Sequence, residues 1–141
     1  MRMPDINILV YAHREESPSH IRYARWLTEV ATGPEPFALS ELCLHGFLRV
    51  VTNPRIFDPP STPQQAFEFL DALLERPTCI LMRPGKSHWR IFRQLCQDLD
   101  VRGKLVSDAA HAAVAIESGC EWVTADTDFA RFAPVLRWRH L

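Results

Sequence analysis

The chain has 141 residues, 47% of them apolar and including four Trp and eight Phe, which suits one compact domain with a real core and excludes a disordered chain. Sixteen basic residues against 17 acidic ones exclude a phosphate-tracking surface over the whole molecule and leave room for a local basic rim. Cys43, Cys79, Cys96 and Cys120 form no C-x-x-C pair, no leader pattern opens the chain, and runs such as Ile8–Ala12 are too short to span a bilayer; the expectation is a cytoplasmic protein with reduced thiols, no zinc site and no membrane partner.

In chain order, a very short first strand, Met1–Pro4, ends at Asp5, and an apolar run follows from Ile6 to Tyr11. Ile21, Ala24, Leu27 and Val30 share one face of a helix predicted over Ser19–Thr32, which Gly33-Pro34 ends. Phe37–Leu39 is a brief strand terminated by Ser40. A helix over Glu41–Val51 carries Leu44, Phe47, Leu48 and Val51 as a stripe, and Asn53-Pro54 stops it. Asp58-Pro59-Pro60 marks a rigid loop. Thr62-Pro63 opens a helix with Ala66, Phe69, Leu70 and Leu73 on one side, and Cys79–Met82 is predicted as a buried strand. Trp89, Phe92, Leu95, Cys96 and Leu99 define an amphipathic helix after Ser87. Ser107 is predicted to cap a helix over Asp108–Glu117 that Gly119 ends. Trp122–Thr124 is a further strand, and Leu136–Trp138 a last one. Alternating short strands and longer helices predict parallel βαβ units and one α/β/α sandwich over residues 1–141, with a short, mostly parallel sheet of four to five strands.

In such sheets ligands bind past the carboxyl ends of the strands, and the acids cluster there in the sequence. Asp5 follows the first strand, with Asn7 two residues on. Glu41 opens the helix after Phe37–Leu39, Asp108 follows Ser107, and Asp126 and Asp128 follow Trp122–Thr124. Each acid also has a structural reading to weigh. Glu41 and Asp108 stand in first turns of helices, where the macrodipole favours an acid by about 0.3–1 kcal/mol. Asp126 and Asp128 suit a turn, whereas Asp5, beside Pro4 in an apolar stretch, has no evident cap to serve. Converging carboxylates repel one another unless a cation neutralises them. Oxygen ligands without His or Cys point to Mg²⁺ or Mn²⁺, and to phosphodiester hydrolysis by a metal-activated water.

Four stretches carry a family resemblance: PDINILVYAH (Pro4–His13), SELCLHGFLRVVTNPRIF (Ser40–Phe57), SDAAHAAVAIESG (Ser107–Gly119) and WVTADTDFARF (Trp122–Phe132). Together they resemble the PIN-domain nucleases, and among these the VapC toxins of bacterial toxin–antitoxin pairs. The resemblance implies a PIN-like three-layer fold and an Mg²⁺- or Mn²⁺-dependent endoribonuclease that cleaves tRNA or rRNA and so inhibits translation. It also implies a homodimer neutralised by a cognate VapB-type antitoxin. By position Asp5, Glu41, Asp108 and Asp126 are its acidic quartet, and Asp128 a further acid beside the last. Metal binding, direct or through water, falls to Asp5 with Asp108 or Asp126. Glu41 either completes that shell or orients the attacking water. Asn7 is implied to orient Asp5 through its amide, and Thr124 to give the site a hydroxyl. Pro4, which lacks a backbone donor, suggests a less rigid edge of the site.

Arg102 and Lys104, leading into Asp108, are the best local candidates for RNA contact. His111 is read as a partly buried helix residue rather than an RNA contact, and His45 and Arg49, in line with Glu41, as either its support or a phosphate contact. Trp26, Trp89 and Trp138 are read as core more readily than as base-stacking platforms. Three other functions compete: an RNA-processing PIN nuclease without an antitoxin, a non-catalytic RNA-binding PIN domain, and a receiver-type phosphoacceptor domain. The complete acid set argues against the second. The single acid at the first strand and the absence of a late Lys argue against the third.

Overall fold

β1 (Arg2–Pro4) runs through the middle of a five-stranded parallel sheet ordered β3-β2-β1-β4-β5, with β2 at Phe37–Ser40, β3 at Cys79–Met82, β4 at Glu121–Thr124 and β5 at Trp138–His140. The computed structural model describes the whole chain, Met1–Leu141. The helices are α1 (Ile6–His13), α2 (His20–Thr32), α3 (Glu41–Val51), α4 (Pro63–Leu74), α5 (His88–Asp98) and α6 (Leu105–Ser118), and a 3₁₀ turn spans Thr127–Phe132. α1 packs on α2 and α3, α3 also on α4, and α5 on α6. Phe37, Phe47, Trp122, Phe129 and Phe132 are among the largest side chains closed off from solvent.

This strand order reverses direction at β1: successive strands go to one side, then β4 returns to the other. The crevice between β1 and β4 is therefore the switch point at which open α/β sheets bind ligands. The same order rules out the receiver reading, whose sheet runs 2-1-3-4-5. β1 pairs with β4 through Arg2, Met3 and Pro4, but with β2 only at Arg2↔Phe37. The ladder to β2 thus stops short of Pro4, which has no N–H to give. On the β4 side Asp5 continues the pairing, its N–H donating to the Val123 carbonyl at 2.8 Å.

Several sequence expectations are corrected. The Ile6–Tyr11 run is helix α1, and Asp5 does have a cap to serve: its Oδ1 accepts from the Ile6 N–H at 2.6 Å. α6 begins at Leu105, so Ser107 lies inside the helix and caps nothing. Leu105 is half-buried and Val106 exposed, and no residue there offers a side-chain cap. β3 is an edge strand with Ile80 exposed, not a buried one. β5 is displaced to Trp138–His140, and Leu136 is buried ahead of it. On α5 only Leu95 is buried, and Trp89, counted with the core, is 69% exposed.

Candidate active site

The residues after β1 and β4 meet in one hydrogen-bonded group. Asp5 is 5% exposed and Thr124 fully buried. The Thr124 hydroxyl donates to Asp5 Oδ2 at 2.6 Å. It accepts in turn from the Asn7 amide at 3.2 Å and from the Asp126 N–H at 2.9 Å, which uses all its bonding capacity. Asn7 Nδ2 also donates to Asp5 Oδ2 at 2.8 Å, and Asn7 Oδ1 accepts from the Ala125 N–H at 3.1 Å. The parallel pairing of β1 with β4 brings these residues together, and Asn7, the second residue of α1, reaches back to the Asp5 cap.

Burial pushes the Asp5 carboxyl up from 3.8 to about 6. The Thr124 and Ile6 hydrogen bonds oppose the rise, and the charges of Asp108 and Asp126 add to it. Asp108, in the first turn of α6, is also raised, by burial and then by Asp126 and Asp128, with Arg131 and Lys104 opposing. Three carboxylates therefore feel one another across the carboxyl edge of the sheet. Asp126 caps the 3₁₀ turn, its Oδ1 accepting from the Asp128 N–H at 2.8 Å. Asp128 stands further out, exposed and 3.9 Å from Arg131.

Glu41 comes to the same edge on α3, but its carboxylate is ion-paired with Arg83, just beyond β3. Arg102 is likewise engaged, with Asp100 at 3.0 Å. Lys104 instead lines a cleft of about 710 Å³ whose floor holds Asp5 and Ile6. One wall is the stripe Leu42, His45, Gly46 and Arg49 of α3; the other is the start of α6, with Ser107, Asp108 and His111. His111 is buried, its Nδ1 3.6 Å from the Cys43 sulfur and its ring stacked on Trp122. Burial, then the charges of Arg49 and His88, lower its pKa from 6.5 to about 4. The sequence offers Arg83 only as one of many basic residues that could meet a phosphate, and no spacing rule pairs that loop residue with Glu41. The α3 wall was discoverable, because Leu42, His45, Gly46 and Arg49 stand at i, i+3, i+4 and i+7. A larger hollow, about 1050 Å³, opens at the opposite, amino edge among Arg2, Glu35, Glu121, Arg137 and Arg139, and holds none of the clustered acids.

The family model of the PIN domain matches residues 2–134, nearly the whole chain and every acid named above. The chain belongs to the PIN-domain family. This PIN domain is 47% identical over 136 residues to the VapC ribonuclease Mb2897 of Mycobacterium bovis, covering 96% of this chain and 92% of the relative. Its fold matches the VapBC2 complex of Rickettsia felis, which was crystallised on a DNA fragment from its promoter. The TM-score is 0.73 at 22% identity, over 99% of this chain and 97% of that one. VapC20 of Mycobacterium tuberculosis, a toxin that cleaves the sarcin-ricin loop, matches with a TM-score of 0.62 at 14% identity, over 94% of each chain.

The donors of this PIN domain suit a hydrated hard cation rather than a closed protein cage. All are carboxylate, amide or hydroxyl oxygens, and no three His, Cys, Asp or Glu side chains are arranged to hold an ion by themselves. Mg²⁺ commonly keeps several waters and takes one or two carboxylates, which Asp5 with Asp108 or Asp126 can supply. The charge crowding that raises Asp5 and Asp108 is what such an ion relieves. No helix of the chain is long and apolar enough to cross a membrane.

Proposed function

We propose that this PIN domain is an Mg²⁺- or Mn²⁺-dependent endoribonuclease toxin. It cuts tRNA or rRNA in the cytoplasm, inhibits translation, works as a homodimer, and is held in check by a VapB-type antitoxin. The observation that carries the catalytic reading is Asp5: a buried carboxylate, raised to about 6, that faces two further acids at the sheet's switch point. The toxin reading draws on relatives named VapC ribonucleases and on a fold shared with VapBC complexes. Ribosomal RNA as substrate draws on the likeness to VapC20.

In this reading Asp5 and Asp108 or Asp126 hold the cation, directly or through water. The ion supplies positive charge to a phosphate and activates a water at neutral pH. Thr124, Asn7 and the Ile6 N–H fix the orientation of Asp5 and leave one lone pair, on Oδ1, for the ion or its water. Asp128 adds negative charge near Asp108. Glu41 reaches the attacking water or the ion's outer shell only by leaving Arg83. The same acidic cleft suits an Arg or Lys side chain of the antitoxin, which gives inhibition a simple electrostatic basis.

The test is cleavage of tRNA and rRNA by the purified protein with Mg²⁺, with Mn²⁺ and with EDTA, beside Asp5→Ala and Asp108→Ala. We expect cutting that EDTA stops and both substitutions abolish, and that purified antitoxin titrates away. Equal activity in all three proteins would sink the assignment.

A further inference from the structure

The cleft above Asp5 is acidic at its floor and basic on both walls. Arg49 on α3 and Lys104 just before α6 both line it, and both are exposed. Neither takes part in any of the chain's ion pairs, which engage Arg2, Arg14, Arg83, Arg102, Arg131 and Arg139. Neither side chain makes a hydrogen bond within the protein. Their charge nonetheless reaches into the cleft: Arg49 depresses His111, and Lys104 works against the rise of Asp108. Two long cations are thus held apart, unpaired, on opposite sides of a carboxylate floor.

Both cations are exposed and free to meet an incoming anion without first breaking an ion pair. The arrangement suits a chain of phosphates entering between the walls. We propose that Arg49 and Lys104 form a two-point phosphate clamp that seats single-stranded RNA in this cleft, with one backbone phosphate on each wall. The scissile linkage then lies between them, over Asp5 and Asp108. A single strand fits better than a duplex, because both walls and the acidic floor line one cleft of only about 710 Å³. His45, one turn before Arg49, edges the same path and contacts the sugar or base of the nucleotide beside the clamp. Arg102, expected from the sequence to share this role with Lys104, is turned to Asp100 and stands outside it. The clamp deepens the ribonuclease reading and rests on it for the identity of the polyanion.

The test is equilibrium binding of a fluorescent single-stranded RNA to the full chain in EDTA, at several salt concentrations. The proteins compared are the parent, Arg49→Ala, Lys104→Ala, the double variant, and Arg76→Ala, which removes a cation at the amino edge of the sheet. Thermal midpoints confirm that each variant is folded. We expect each cleft substitution to weaken binding by about five- to tenfold and to lower the salt slope by about 0.7, the value for one phosphate of a single strand, with the double variant losing both and Arg49→Lys restoring most of its share. Arg76→Ala should leave affinity and slope unchanged. Unchanged binding in the cleft variants, or an equal loss in Arg76→Ala, overturns the clamp; so does a parent that binds no RNA. Cleavage by the parent in Mg²⁺ is scored separately. A parent that cleaves while the variants bind normally overturns the clamp alone, and one that binds through the clamp but never cleaves overturns the nuclease reading alone.

Discussion

The carboxylate of Glu41 faces Arg83 and not Asp5, although β2 and β1 deliver both acids to the same edge of the sheet. Arg83 is 65% exposed, so the pair is largely solvated and contributes at most about 1 kcal/mol to stability. Arg83→Ala should therefore shift the thermal midpoint by a few degrees or less. Its effect should appear in the metal requirement: with Glu41 released toward the cleft, half-maximal cleavage should need less Mg²⁺. A raised Mg²⁺ requirement would mean that the paired form of Glu41 is the working one.

Thr124 offers a sharper contrast. Its hydroxyl serves Asp5, Asn7 and the Asp126 N–H together, wholly out of water. Thr124→Val keeps the shape and leaves those partners unsatisfied, at an expected cost of about 1–3 kcal/mol on chemical denaturation. It should also raise the Asp5 pKa further, because a bond to the charged form is lost. Thr124→Ser should recover most of the stability and activity. A valine variant as stable and active as the parent would remove Thr124 from the site.

Asp5 and His111 pull the pH dependence of stability in opposite directions over almost the same window. Folded Asp5 keeps its proton up to about pH 6 while the unfolded carboxyl loses it near 3.8, so stability falls as pH rises between those values. Folded His111 loses its proton near 4 while the unfolded ring keeps it to 6.5, so stability rises across that range. The two slopes offset each other in the metal-free parent. Asp5→Asn should gain on the parent by on the order of 2–3 kcal/mol from pH 4 to 7, and His111→Gln should lose by a similar amount. Denaturation in EDTA across that range reads both, and curves parallel to the parent's would refute the offset. Mg²⁺ should stabilise the parent more at pH 7.5 than at pH 5, where Asp5 is protonated.

Gly46 lets α3 lie against the start of α1. A Cβ built there would stand 2.3 Å from Ile6 Cδ1. Because the near atom is the end of a side chain, Gly46→Ala should be close to neutral, its gain in helix propensity of about 1 kcal/mol offsetting the shift of Ile6. Gly46→Val has no such room and should destabilise by about 1–3 kcal/mol. Cleavage should fall with it, since Ile6 carries the N–H that holds Asp5.

Much of this architecture is legible in the sequence where local chemistry is strong. Gly33, Ser40, Asn53, Thr62-Pro63 and Gly119 punctuate it, and α3 and β3 fall on their predicted residues. Legibility fails where the local signal is uniform or misleading. Ile6–Tyr11 is apolar except for Asn7, because α1 is packed between α2, α3 and β4, so no period separates helix from strand. Ser107 looks like a cap, but α6 starts at Leu105 without one. Trp89 follows the apolar stripe of α5, yet it stands 69% exposed. The acids of the site are readable from their places after strands and at helix starts. Arg83, and the choice of Arg49 and Lys104 over Arg102, depend on which side chains find partners in space, and spacing carries no record of that.

The oxygen that steadies Asp5 comes from Thr124, 119 residues further along. β4, which bears it, is itself flanked by β5 through Thr124↔His140. No nascent chain halted before β4 can have the site, however well α1–α4 have already packed. On the proposed function, translation of this chain yields no competent nuclease until β4 has been made, whatever the supply of inhibitor at that moment. By the same logic, cutting the gene between α4 and β3 yields two inert products, whose co-production would report on their reassembly.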